Sequence, residues 1–337
     1  MKYTTEKKQT IVLYILEKIE SETQSVSKVV AETFNISTNT VHTYLNELIE
    51  NGIIEKQKRG KYNLVNTCHE YTFKRSAGDL RSDTLPYDIC LEKEIKHLSE
   101  NVKRIWLYGL SEMVNNVIDH SNAENMKVII LQNYLTTTVL LIDDGIGIFE
   151  KIKKHFDLPN LDEAICELFK GKLTTDEENH SGEGIFFTSK MMDTFLISSS
   201  GKIFTSSKFT DDNIFDINEN MEGTCVLMSL SNFTHKIPKE IFDQYSNNDG
   251  SFTTTRIPLK DIFDAAPVSR SQAKRVCNRL ENFEEVILDF EGIDWMGQGF
   301  AHQIFWVFQN AHPEISVIPQ NMNDSVQSMY KHVIKTT

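Results

Sequence analysis

The sequence predicts a multidomain α+β protein, and three observations support this prediction. The chain has 337 residues, which exceeds one typical hydrophobic core and indicates two or three domains. Three helical patterns and a short hairpin open the chain, whereas strands and helices alternate after a polar run, YSNNDGS, at residues 245–251. We therefore expect domains at residues 1–65, 66–245 and 246–337.

Composition restricts the class of protein. Hydrophobic residues make up 40% of the chain, which indicates a globular fold. An amino-terminal signal and an apolar run of membrane length are missing, so we expect a cytoplasmic, soluble protein with no membrane contact. The five cysteines are odd in number and scattered, which fits a reducing compartment and packing roles and argues against structural zinc. Most of the net charge of −13 lies in the central domain, so any nucleic-acid contact is expected from the N-terminal domain.

The N-terminal domain is predicted to begin with three helices. The apolar residues that repeat at helical spacing are Ile11, Ile15 and Ile19 in the first, Val29 and Val30 in the second, and Val41, Leu45, Leu48 and Ile49 in the third. The second helix is expected to start near Ser25 or Ser27, and Ser37 is a good N-cap for the third. A hairpin with its turn at residues 58–61 follows.

This arrangement resembles a winged helix-turn-helix. The resemblance implies that polar groups on the third helix reach base edges in the major groove of double-stranded DNA, while the basic wing contacts phosphates. The candidate DNA-binding residues are Asn39, Thr40, His42, Thr43, Asn46, Lys58, Arg59 and Lys61. Since the third helix contains neither Lys nor Arg, one copy would bind DNA weakly, and we expect a homodimer. A winged helix that docks onto a protein is the alternative.

The central domain contains a helical pattern with two oxygen-bearing side chains four residues apart. Apolar residues at 110, 113, 114, 117 and 118 form one face, and Glu112, Asn116 and His120 share another. A carboxylate beside a carboxamide suits a general base that holds water and an oxygen ligand that holds Mg²⁺. We assign these roles to Glu112 and Asn116. The alternative is an ordinary amphipathic helix with a solvated polar face.

Two glycine-containing motifs follow. Residues 139–142 are predicted to form a short strand, which the turn Asp143-x-Gly145-x-Gly147 ends. Residues 149–181 contain two helical patches and a polar stretch, and are predicted to form a lid over a ligand. Gly182 and Gly184 would then open a helix whose free N–H groups face phosphates. Weaker phosphate candidates are Lys172, Thr174, Thr175 and Ser181.

Together these motifs resemble the GHKL ATPases, the family of gyrase, MutL and the histidine-kinase catalytic domain. The resemblance implies a two-layer α/β sandwich of the Bergerat type that binds ATP and Mg²⁺. It also implies that Asp143 accepts a hydrogen bond from the adenine amino group, which favours ATP over GTP. Gly145 and Gly147 would let the backbone approach the base and sugar. Thr224, at the start of an apolar strand, would support Asp143 through water.

At two positions this chain differs from histidine kinases, so the resemblance is closer to other members of the family. Those enzymes usually carry Asn where this chain has Glu112 and a basic residue where it has Asp119. The Glu112, Asn116 and His120 spacing is similar to that of anti-sigma-factor serine kinases and, at Glu112, to hydrolytic members. Both ATP hydrolysis and serine phosphorylation remain open.

The C-terminal domain is predicted to alternate strands and helices. Its stretch at residues 288–293, followed by residues 297–301, is similar to the STAS-like domains of anti-sigma-factor antagonists. In those proteins a serine before the helix is phosphorylated, but residues 289–305 contain neither Ser nor Thr. We therefore expect a docking surface for a protein partner, with a structural cap on the ATPase as the alternative.

The order of these domains predicts an ATP-hydrolysing regulator. ATP would close the lid, drive dimerisation and change what the winged helix or the STAS-like domain binds, as in a transcription or signalling switch. The alternatives are an anti-sigma-factor-like serine kinase and a nucleotide-binding scaffold without catalysis.

Overall fold

The computed structural model describes residues 5–58, 60–173, 182–205, 222–247, 249–263 and 266–336. The α-helices in these ranges are α1 Thr5–Glu20, α2 Val26–Phe34, α3 Thr38–Glu50, α4 Glu92–Ile95, α5 Glu100–Asn116, α6 Ile148–His155, α7 Leu161–Lys170, α8 Gly184–Met191, α9 Pro238–Tyr245, α10 Leu259–Ile262, α11 Arg270–Cys277, α12 Gln298–His302, α13 Gln309–Ala311 and α14 Asp324–Thr336. The strands are β1 Ile54–Lys58, β2 Lys61–Leu64, β3 Thr67–Lys74, β4 Asn125–Gln132, β5 Thr136–Asp143, β6 Thr194–Ser199, β7 Lys202–Thr205, β8 Thr224–Ser231, β9 Thr254–Pro258, β10 Glu285–Asp289 and β11 Ser316–Gln320. Among the helices described, none is long and apolar enough to cross a membrane.

The N-terminal region packs three helices and a hairpin around one apolar cluster. Ile11 and Ile15 of α1 and Val41 of α3 are fully buried in it. Ser37 caps α3, since its hydroxyl oxygen accepts a hydrogen bond from the Thr40 amide at 3.1 Å. The helical periodicity and the predicted N-cap are therefore confirmed.

Two details of burial in this region were predicted wrongly. Val29 is half-buried, and Val26 is buried in its place because Ser25 precedes the first turn of α2. In α3, Ile49 is also half-buried, and Tyr44 takes the buried position. In each helix the buried stripe is displaced around the helix axis from the predicted one, and periodicity alone does not resolve this displacement.

The central region is built on a large antiparallel sheet. Its strands have the order β3-β4-β5-β8-β6-β7 within the described residues. Along β5, Val139, Leu141 and Asp143 are buried, because alternate side chains of a strand share one face. Helix α5 covers that face through Trp106 and Leu110, which are fully buried in the same apolar cluster.

The N-terminal region docks at the end of the sheet where β5 begins. Leu135, in the turn before β5, belongs to the N-terminal apolar cluster, and Phe233 packs against it. The ring of Tyr134 lies 5.6 Å from that of Phe233. Strand β5 therefore runs from the N-terminal region at Thr136 to Asp143 at its other end, a span of roughly 24 Å at the usual rise of a strand.

The C-terminal region contains a parallel sheet in the order β11-β10-β9, as far as the structure describes it. Its core is continuous with that of the central region. The ring centre of Phe252 lies 4.7 Å from that of Phe186 and 5.1 Å from that of Phe187, both of α8. It lies 5.4 Å from the ring centre of Phe283. These aromatic contacts pack the C-terminal region directly against α8.

Candidate functional site

A cavity of about 300 Å³ lies at the end of β5, and we call it the β5 cavity. Its floor is formed by the adjacent strands β5, β8 and β6, which contribute Leu141, Val226 and Ile197. Its walls come from α5, α6, the end of α7 and the start of α8. Such a volume is at the lower end of the range for small-molecule sites.

The structure brings together nearly all of the predicted nucleotide-site residues. Those that line the β5 cavity are Glu112, Asn116, Asp143, Gly147, Gly182, Gly184 and Thr224. They come from four separate parts of the chain, and sheet pairing and helix packing place them around one space. Gly145 does not line it.

Asp143 is a buried carboxylate at the floor of the cavity. The residue is 4% exposed, and its Oδ1 accepts a hydrogen bond from the Gly145 amide at 2.8 Å. Burial raises the pKa of Asp143 to about 6, while the backbone N–H groups of Gly145 and Thr224 oppose this shift. A carboxylate held in this way accepts a hydrogen bond from an amino group and disfavours a carbonyl oxygen.

Glu112 and Asn116 lie one helical turn apart at the end of α5. The side-chain nitrogen of Asn116 donates a hydrogen bond to the backbone oxygen of Glu112 at 3.0 Å. This bond uses the nitrogen end of the amide, so the oxygen end is the one that can serve as a metal ligand. The residue types therefore fit Mg²⁺, which accepts one protein oxygen together with phosphate and water oxygens.

Arg75 holds the helix end that follows Asn116. Its guanidinium donates hydrogen bonds to the backbone oxygens of Val117 at 3.1 Å, Ile118 at 3.0 Å and Ala123 at 2.8 Å. Carbonyl groups at a helix C-terminus lack partners within the helix and carry partial negative charge, so a cation stabilises them. Arg75 was not among the predicted site residues, because nothing local to it indicates a partner 42 residues away.

The two glycines of the turn after β5 are explained by packing. A Cβ at Gly145 would overlap the backbone oxygen of Ser121. We predicted that Gly145 lets the backbone approach a ligand, but its close approach is to Ser121, and this correction follows from how the turn rests on the end of α5. Gly147 has a φ of +77°, and a Cβ there would lie 2.6 Å from Ser199 Oγ.

Gly182 and Gly184 flank the start of α8. Gly182 has a φ of +71°, and its carbonyl oxygen accepts a hydrogen bond from the Leu173 amide at 3.0 Å. Gly184 is the first residue of α8, as predicted, and the carboxylate of Glu112 lies directly against it. The N–H groups of the first turn of α8 therefore stand at the cavity wall.

Thr224 lies opposite Asp143 in the pairing of β8 with β5. Its side-chain oxygen accepts a hydrogen bond from the Ile148 amide at 3.0 Å, which caps the N-terminus of α6. The backbone N–H of Thr224 bonds the Asp143 carboxylate. The structure thus supports Asp143 through the backbone N–H of Thr224, and the contact through water that the sequence predicts stays a prediction.

The weaker phosphate candidates do not gather at the cavity. The ammonium of Lys172 donates a hydrogen bond to the backbone oxygen of Asn282 at 2.7 Å and lies 5.0 Å from the ring centre of Phe283. The prediction for Lys172 was wrong, because this residue follows α7 directly and packs on the C-terminal region. Three further candidates, and with them part of the predicted lid, lie outside the described residues: Thr174, Thr175 and Ser181.

Lys151 of α6 lines the β5 cavity and was missed by the sequence analysis. Its ammonium donates a hydrogen bond to the backbone oxygen of His120 at 2.8 Å, and His120 also lines the cavity. Lys151 brings a positive charge to a lining that includes the carboxylates of Glu112 and Asp143. Its position in the first helical patch predicted after Gly147 was a usable signal.

The candidate DNA-binding residues form an exposed surface on the N-terminal region. Asn39, His42, Thr43 and Asn46 are exposed on α3, whereas Thr40 is half-buried with its hydroxyl 2.9 Å from that of Ser37. On the wing, the exposed residues Lys58 and Lys61 are paired across the hairpin. The remaining candidate, Arg59, lies outside the described residues.

Comparison with known families supports the domains predicted at the two ends of the chain. Residues 7–69 match a family model described as a winged helix-turn-helix. Residues 272–327 match a family model described as a STAS-like domain of unknown function (DUF4325). No curated protein matches the chain. The protein is therefore multidomain α+β, with a winged helix-turn-helix at its N-terminus and a STAS-like domain at its C-terminus.

Proposed function

We propose that this protein is an ATP-binding and ATP-hydrolysing regulator, in which a central domain of the GHKL type carries a DNA-binding winged helix and a STAS-like docking domain. The observation that carries the proposal is the composition of the β5 cavity. A buried carboxylate, Asp143, forms its floor, and Glu112 and Asn116 stand on its wall beside the start of α8.

Recognition of adenine is assigned to Asp143. The carboxylate accepts the exocyclic amino group, and the apolar neighbours Leu141, Ile197 and Val226 provide a surface for the flat base. Guanine would place a carbonyl oxygen against the carboxylate and leave two acceptors unpaired. ATP is therefore preferred to GTP.

Hydrolysis is assigned to the wall of the cavity. Glu112 holds and deprotonates the attacking water, because its carboxylate stands at the start of α8 where the terminal phosphate would lie. Asn116 would hold Mg²⁺ through its side-chain oxygen, and the metal would neutralise phosphate charge. Lys151 adds a positive charge on the opposite helix.

DNA binding is assigned to the winged helix-turn-helix. The polar face of α3 is exposed and would read base edges, while Lys58 and Lys61 would contact phosphates. Because α3 contains neither Lys nor Arg, two copies in a homodimer are needed for useful affinity. The STAS-like domain would dock a protein partner.

The test measures ATP binding and ATP turnover separately. Asp143→Asn should weaken ATP binding by about a hundredfold, whereas the matched control Asp144→Asn, an exposed neighbour bonded to Asn125, should bind normally. Glu112→Gln should bind ATP and release no phosphate. Unimpaired ATP affinity in the Asp143 variant would remove the site assignment.

The same assay separates the alternatives. Free phosphate supports hydrolysis, whereas transfer of labelled phosphate to a serine of another protein supports the anti-sigma-factor type of kinase. Retained ATP binding with neither product supports a scaffold. In each case the adenine contact at Asp143 is tested independently of the chemistry.

A further inference from the structure

Helix α7 contacts two sites at once. Leu168 and, just beyond the helix, Leu173 line the β5 cavity. Glu167 and Lys170, on another side of the same helix, are 2% and 1% exposed and lie against the STAS-like domain. One short helix is therefore shared by the cavity wall and the domain interface.

The ammonium of Lys170 is inserted into the C-terminal end of α11. It donates hydrogen bonds to the backbone oxygens of Asn278 at 2.6 Å and Arg275 at 3.1 Å, and to the carboxylate of Glu167 at 2.7 Å. An ammonium has three N–H donors, and each of these has an acceptor here. The last carbonyls of a helix carry partial negative charge, so the ammonium also stabilises the end of α11 electrostatically.

Further bonds extend the attachment on both sides. The side-chain amide of Asn278 donates to the carboxylate of Glu167 at 3.1 Å, and the Thr255 hydroxyl of β9 donates to the backbone oxygen of Lys170 at 2.6 Å. Lys172 donates to the backbone oxygen of Asn282 at 2.7 Å. The end of α7 is thus bonded to β9, to the end of α11 and to the turn that follows α11.

We propose that α7 is a mechanical relay by which occupancy of the β5 cavity changes the conformation of α11 in the STAS-like domain. The proposal rests on the proposed function, since it takes ATP as the occupant. Displacement of the buried Lys170 ammonium from Glu167 and from the two backbone oxygens of α11 is costly, because it leaves a buried positive charge without its partners. A shift of the cavity wall at Leu168 therefore moves α11 together with α7. Binding free energies are linked reciprocally. If bound ATP changes the affinity of α11 for a partner by some factor, the bound partner changes the affinity for ATP by that same factor.

The experiment follows amide hydrogen exchange of the whole chain with and without a non-hydrolysable ATP analogue, and measures the affinity of the analogue by calorimetry. In the wild type, the analogue should change exchange within residues 270–278 by at least about fivefold. Lys170→Met should lose this response while still binding the analogue. The control Lys239→Met, whose side chain is 81% exposed in a surface ion pair with Asp243, should keep it.

A second variant distinguishes loss of the relay from loss of the fold. Lys172→Met removes a peripheral bond of the same attachment, and it should reduce the exchange response without loss of fold, as checked by circular dichroism. Bound analogue with unchanged exchange in residues 270–278 of the wild type would overturn the relay alone. A full response in both the Lys170 and Lys172 variants would do the same. Absence of analogue binding in the wild type would overturn the proposed function and the relay together.

Discussion

The carboxylate of Glu112 lies directly against the backbone of Gly184, so that a side chain at position 184 would occupy the space of its Oε2. Glu112 is near the end of α5, and Gly184 is the first residue of α8. Packing of these two helices therefore brings an acidic side chain to the positive end of a helix, where N–H groups lack partners within the helix.

This contact predicts the effect of Gly184→Ala. The added Cβ should push the Glu112 carboxylate aside while α8 persists, because alanine is a better helix former than glycine. We expect ATP hydrolysis to fall by about tenfold or more, since small misplacement of a general base is costly. Phosphate release measures this. The control is Gly299→Ala in α12, where a Cβ would meet ordinary contacts of 3.4 Å or more. Equal hydrolysis in both variants would contradict the role of Glu112.

ATP affinity should depend on pH through Asp143. The folded pKa of about 6 lies above the ordinary value of 3.8, so Asp143 gains a proton as the pH falls through about 6. The protonated form is a poorer acceptor, and the Kd for ATP should rise about tenfold between pH 7 and pH 5. Calorimetry at each pH measures this. Asp144→Asn should retain the dependence, and a constant Kd across this range would argue against Asp143 as the adenine contact.

The same shift affects the stability of the nucleotide-free protein. Between about pH 4 and pH 6 the folded protein binds the Asp143 proton more tightly than the unfolded chain does. The contribution of Asp143 to stability is therefore present below this window and is lost as the pH rises through it. Urea unfolding at fixed ionic strength should show this loss, and Asp143→Asn should abolish it.

Arg75→Met should destabilise the end of α5. The variant removes three hydrogen bonds from a charged donor to backbone oxygens, which we expect to lower the free energy of unfolding by about 3 kcal/mol. Urea denaturation measures the loss, and phosphate release should fall because Asn116 adjoins the loosened turn. The control Arg104→Met changes an exposed residue of α5. Matching stabilities for the two variants would refute the capping role.

The wing lysines should contribute to DNA affinity without sequence preference. Lys58→Ala and Lys61→Ala should each reduce the slope of log affinity against log salt concentration by about one, because each removes one phosphate contact. Fluorescence anisotropy with duplex DNA measures this slope. Lys154→Ala, an exposed lysine on α6, is the control and should leave it unchanged. An unaltered slope in both wing variants would favour a winged helix that docks onto protein.

Helical periodicity and helix capping could be predicted from the sequence, because both depend on residues that are close together along the chain. The spacing of apolar residues located α1 and α3, and Ser37 marked the start of α3. The strand predicted at residues 139–142 is longer in the structure, and its last residue is Asp143, which shares a face with the buried Leu141 because side chains alternate along β5. The grouping of Glu112 with Asp143 followed from a resemblance between motifs.

Partners distant in the sequence were not predictable in this way. Arg75 and Val117, like Lys170 and Asn278, carry no local sign of each other, and their contacts exist because separate elements pack together. Lys172 illustrates the error that results. Beside a glycine-rich polar stretch it reads as a phosphate contact, yet the docking of α7 on the STAS-like domain takes its ammonium to Asn282.

The sequence by itself determined the three N-terminal helices and the wing hairpin, the two terminal families and the residues that could carry chemistry, because each depends on neighbours within a few positions along the chain. The tertiary structure decided that Glu112 meets Gly184, that Lys151 joins the cavity, and that α7 links the cavity to the STAS-like domain. Those outcomes depend on how helices and strands distant in the chain share one apolar core, and local spacing carries no information about that.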